Sequence, residues 1–141
     1  MTINYADMFH HIHPGFFEAA HIRALPAKYV FDEQILDLRT FPDDAPAVPA
    51  PAHITYGLYT GSIEALHTAV RAVDEDWLQY FQPGDRVYCA FDGETPVSFC
   101  LLDDFGEYQG LRIGAPGCVG TVPAWRKMGI GLRMVQLATA S

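Results

Sequence analysis

Apolar residues recur at three- and four-residue spacing over Ile63, Leu66, Val70, Val73, Trp77 and Phe81, with polar residues between them. Side chains so spaced fall on one helix face, which predicts a helix that starts after Ser62, a fitting N-cap, and stops at Pro83-Gly84. Ahead of it "ITYGLYTG", Ile54 to Gly61, is dense in β-branched and aromatic residues and closes on glycine, as a strand does. Behind it "RVYCAF" and "PVSFCLLDDF" flank "DGET", where Asp92-Gly93 suits a tight turn, so the pair reads as an antiparallel hairpin. The segment "QGLRIGAPGCVGTV" reads as a further strand, whose Gly110, Gly114, Gly117 and Gly120 permit a bulge or the close approach of another backbone or a ligand. From Gly129 onward Ile130, Met134, Leu137 and Ala138 lie at helical spacing, and Leu132 and Val135 widen the apolar surface as packing on a sheet requires. The order strand, helix, hairpin, glycine-rich strand, helix predicts a mixed α/β (α+β) domain.

The N-terminal third is less patterned. "PGFFEAAHIRALP" and "FDEQILDLR" read as two short helices, the second capped at Asp32. The stretch "FPDDAPAVPAP", Phe41 to Pro51, holds four of the ten prolines, which remove backbone donors and fix φ, so it reads as a connector. This divides the chain into an extension, residues 1–52, and a domain, residues 53–141.

Length and composition narrow the class. A chain of 141 residues, half of them apolar and 18% charged, can bury a core of its own. Nine Lys and Arg stand against 17 Asp and Glu, a formal charge of -8 that disfavours nucleic acid and anionic membrane as partners and suits an amine-bearing one. There is no membrane-length apolar run and no secretory layout in "MTINYADMFHHIHPG", so the expected location is cytoplasmic. Cys89, Cys100 and Cys118 form no CxxC pair and are expected as buried thiols. "HHIH" at His10 to His13 has metal-like spacing but no further ligand at hand, and is read as surface or packing residues.

Candidate chemistry concentrates in "TVPAWRKMGIG", at the predicted junction of the glycine-rich strand and the last helix. The first N–H groups of a helix have no internal partner and the dipole there favours negative charge, so such a turn is an anion site. Gly129 and Gly131 would let a phosphate approach the main chain, and Arg126, Lys127 and Arg133 concentrate positive charge in an acidic chain. Neither a GxxxxGK[ST] loop nor a GxGxxG run after a strand is present. At these residues the chain resembles the GCN5-related N-acetyltransferase (GNAT) superfamily, with Arg126, Gly129 and Gly131 at its R/Q-x-x-G-x-G/A positions and the Val-Pro lead-in before them. The resemblance covers roughly Ile54 to Ser141.

What the resemblance implies is a largely antiparallel sheet flanked by helices, short of the family's usual C-terminal strands, and an acetyl-CoA donor as co-substrate with no metal. Its pyrophosphate would lie on the main-chain N–H groups of Lys127, Met128, Gly129, Ile130 and Gly131, and its pantetheine arm would pair with Gly120, Thr121 and Val122. The acceptor would be an amine, on a small molecule or a peptide, that attacks the thioester directly. All seven tyrosines precede the motif, so the family's later tyrosine acid has no counterpart, and the catalytic residues stay unassigned. Asp103, Asp104 and Glu107 could relay a proton or be a solvated turn; Asp74, Glu75 and Asp76 could read a cationic acceptor or be an exposed helix face. The glycine-rich strand would be a sheet edge that a second copy of the chain could cover. The alternatives are a non-catalytic CoA-binding or regulatory module, and an inactive fragment of a longer acetyltransferase.

Overall fold

A computed structural model describes residues 3–16, 18–26, 36–40 and 46–141. It divides into two compact units: Met1–Phe41 with Phe105–Ile113, and Pro42–Asp104 with Gly114–Ser141.

The smaller unit contains helix α1, Tyr5–Ile12, and the four-residue α2, Ala20–Arg23. The sequence pattern gives no helix at α1, yet Asn4 caps it, its side chain accepting from Asp7 N–H at 3.2 Å. The first of the two short helices expected from the sequence covers α2, whereas most of "FDEQILDLR", with its cap at Asp32, lies outside the described residues. His13 contacts the rings of Phe9 and Phe105, and His11 that of Tyr108, at centroid separations of 5.1 to 5.3 Å.

The larger unit has the predicted mixed α/β architecture. Strands β1 (Ile54–Leu58), β2 (Val87–Asp92), β3 (Thr95–Tyr108) and β4 (Leu111–Thr121) form one sheet in the order β1-β2-β3-β4, with residues 105–113 of β3, β4 and their turn counted in the smaller unit. β1 pairs antiparallel with β2, and β2 with β3. The β2–β3 turn is Gly93-Glu94 rather than Asp92-Gly93: Asp92 pairs with Thr95, and only Gly93 has positive φ, the II′ pattern. Gln109 and Gly110, both at positive φ, turn β3 into β4.

The predicted long helix is two elements. Helix α3, Ile63–Val73, begins where Ser62 Oγ accepts from Ala65 N–H at 3.2 Å, and ends at Asp74, whose φ of -159° is extended. A 3₁₀ segment, Glu75–Tyr80, follows, started by Asp74 Oδ1 accepting from Asp76 N–H at 2.9 Å. Three successive acidic residues oppose the dipole at a helix C-terminus and cap a new N-terminus instead. Periodicity survives the break because Phe81 still reaches the core, fully buried.

Each sheet face carries one helix. Leu66, Ala69 and Val70 of α3 pack with Phe81, Val87, Cys89 and Phe99; on the opposite face Ile130 and Met134 of helix α4, Ile130–Ala140, pack with Ile54, Ala90, Val97 and Cys100. Strict alternation would put Val97 and Phe99 on the same face. They separate because Ala90 pairs with Ser98 but Phe91 with Pro96, leaving Val97 as the extra residue of a bulge. Pro96 is tolerated in this inner strand beside that bulge, and Pro116 in β4, at the end of the sheet order.

Candidate anion site at the β4–α4 turn

Ser98, two residues from Cys100, falls on the α4 face by strand alternation, in the middle of an apolar run. Ser98 is fully buried; its Oγ donates to Gly120 O at 2.9 Å and lies 2.9 Å from Thr121 Oγ1. Val122 N–H donates to Val97 O at 2.9 Å. These bonds fix the end of β4. Residues 123–125 then make a single 3₁₀ turn closed by Trp125 N–H donating to Val122 O, and Lys127 and Gly129, at φ 66° and 83°, reverse the chain into α4.

The result is a set of donors without acceptors. Among the described residues no group accepts a hydrogen bond from the main-chain N–H of residues 127–132, and Gly129 as N-cap offers no side chain. Next to them opens a cavity of about 250 Å³ walled by Thr121, Trp125, Arg126, Lys127 and residues 129–132. That is below the usual range for a whole organic ligand but sufficient for a diphosphate group. Of the sequence-predicted site residues, Thr121, Arg126, Lys127, Gly129, Ile130 and Gly131 line this cavity, while Met128 is exposed beside it.

The remaining expectations fare differently. A Cβ on Gly131 would lie 2.6 Å from Thr121 Oγ1, and one on Gly129 would collide with Pro49 O, so both glycines admit this chain's own atoms on their Cβ sides. Gly120 serves the opposite face, where a Cβ would meet Phe99 Cζ at 2.6 Å. Val122 spends its N–H on Val97, and Thr121 O accepts from Arg126 Nε at 2.9 Å. Arg133 does not line the cavity; its Nη1 donates to Gln136 Oε1 at 2.8 Å.

Two acidic residues that the sequence keeps apart both act on Cys118 of β4. Asp103 Oδ2 lies 2.8 Å from where a Gly117 Cβ would be, and burial, with the carboxylates of Asp103 and Asp74, raises the Cys118 thiol above its ordinary value. Cys118 has a φ of 46°, a local irregularity within β4. Glu107 belongs to the smaller unit. Tyr56 Oη is buried without a hydrogen-bond partner among the described residues; desolvation raises this phenol and the Arg133 charge opposes the shift. Among the described residues no three His, Cys, Asp or Glu side chains gather as a metal site, and no helix is long and apolar enough to cross a membrane.

Sequence reasoning missed Ser98 and Gln136. Ser98 left a signal as the one polar residue inside "VSFCLL"; Gln136, whose amide contacts residues about ninety positions earlier, left none. Compared with protein families, with curated proteins and with solved structures, the chain matches none.

Proposed function

We propose that the larger unit is an acyl-CoA-dependent N-acyltransferase domain of GNAT type, with acetyl-CoA as donor and an amine as acceptor. The observation that carries the reading is the run of main-chain N–H groups, residues 127–132, that have no acceptor among the described residues, beside a diphosphate-sized cavity flanked by Arg126 and Lys127. Convergent N–H donors at a helix N-terminus, backed by basic side chains, are what a pyrophosphate requires. The order of antiparallel strands and helices around the motif agrees with the resemblance read from the sequence.

The pantetheine arm would run along Gly120, Thr121 and Val122, and for Thr121 O to pair with it the exposed Arg126 must swing off that carbonyl and toward the phosphates. The amine lone pair attacks the acetyl carbonyl carbon, the C–N bond forms, the C–S bond breaks, and the proton lost by nitrogen passes through water to the departing thiolate. The transfer is redox-neutral, so it calls for no redox group. Asp74 and Asp103 would offer a cationic acceptor a favourable field near the middle of β4. Reduced thiols and an acyl-CoA donor fit a cytoplasmic setting.

The test is release of free CoA thiol from acetyl-CoA in the presence of a panel of small-molecule and peptide amines. Amine-dependent release that Lys127→Gln diminishes supports the enzyme. Binding of acetyl-CoA with no release for any amine would leave the non-catalytic CoA-binding reading in its place.

A further inference from the structure

The proline-rich connector is built into the site from its far side. Gln136 faces it from α4: its Oε1 accepts from Val48 N–H at 2.9 Å, and its Nε2 donates to Pro46 O at 2.6 Å. The same Oε1 accepts from Arg133 Nη1 at 2.8 Å, so one amide satisfies three partners. One residue beyond Val48, the Pro49 carbonyl packs against the Cα of Gly129, the left-handed N-cap of α4. Pro46, Pro49 and Pro51 restrict φ along this strap, so anchoring it at 46 and 48 also determines where the Pro49 carbonyl stands. On the helix, Arg133 N–H donates to Gly129 O at 2.9 Å, which closes the circuit from the strap through Gln136 and Arg133 back to the N-cap.

We infer that Gln136 is a positioning residue for the anion site: it holds the strap, residues 46–51, against Gly129 and thereby sets the orientation of the N–H groups that follow. Gln136 does not line the cavity, so its influence on a ligand is indirect, by way of the strap and Gly129. Gly129 lacks a side chain and is the residue of the turn with the greatest conformational freedom, which makes an external stop necessary if its neighbours' N–H groups are to converge. The inference rests on the pyrophosphate reading for its ligand, but the mechanical coupling can be observed without one.

Three variants of the full chain separate the possibilities. Gln136→Met keeps length and loses every bond; Gln136→Glu keeps the acceptor for Val48 and Arg133 and loses the donor to Pro46; Val48→Pro removes the strap's N–H and leaves α4 untouched. Backbone amide spectra are recorded for each, with calorimetric titration by acetyl-CoA and by inorganic pyrophosphate. The Gly129 and Ile130 resonances should shift and broaden in Gln136→Met and Val48→Pro and return toward wild type in Gln136→Glu. The dissociation constants for both probes should rise about tenfold in the first two variants. Gly129 and Ile130 resonances that stay in place while Val48 or its neighbours move would overturn the inference. If wild type binds neither probe, the pyrophosphate reading fails by itself, and the Gly129 resonance still decides whether Gln136 positions the turn.

Discussion

At Gly131 a hydrogen atom is all that separates α4 from the sheet. A methyl group there would stand 2.6 Å from Thr121 Oγ1, the hydroxyl that faces Ser98 across 2.9 Å. Gly131→Ala is expected to lower stability by about 1–3 kcal/mol in urea unfolding, with a smaller loss when introduced into a Thr121→Ala background. A Gly131→Ala chain as stable as the parent would show that the contact yields freely. The buried thiols make a second prediction at this scale. Burial pushes Cys89 up to about 12 and Cys100 up to about 11, from an ordinary value of 9.0. Below pH 9 both states hold these protons and the thiols add no pH dependence. From about pH 9 toward 11 and 12 the unfolded chain releases protons that the folded chain retains, so stability falls as pH rises. Urea midpoints measured under reductant between pH 8 and 10.5 should decline, and less so in Cys89→Ala; an equal decline in parent and variant would contradict the assignment.

At the scale of elements, what the sequence revealed was what depends on local pattern. The α3 start at Ser62, the hairpin and the α4 start at Gly129 each have a cap, a turn residue or a periodic face within a few residues. What it concealed depends on partners far along the chain or on competition between caps. The end of α3 is hidden because Phe81 keeps the helical period through a 3₁₀ segment that Asp74 initiates. The bulge at Val97 is hidden because a run apolar on both faces carries no alternation to interrupt. The site shows the same division. Arg126, Lys127 and residues 129–131 were readable as a strand-to-helix turn, whereas the use of both glycines for internal contacts, and of Arg133 for Gln136, required the fold. The connector was read as a breaker of regular structure, as residues 46–51 are, but its hydrogen bonds to α4 arise from a single glutamine about ninety residues away.

At the scale of the whole molecule, a chain of formal charge -8 places Arg126 and Lys127 beside one cavity in its larger unit. Positive charge beside N–H groups that have no acceptor among the described residues favours an anion there. We propose that this turn receives the pyrophosphate of an acyl-CoA. Calorimetric titration of the intact chain with acetyl-CoA tests it most directly. Saturable binding of one molecule per chain is expected, weakened by added salt and by Lys127→Gln. Absence of heat, with no rise in the thermal midpoint at millimolar acetyl-CoA, would contradict it.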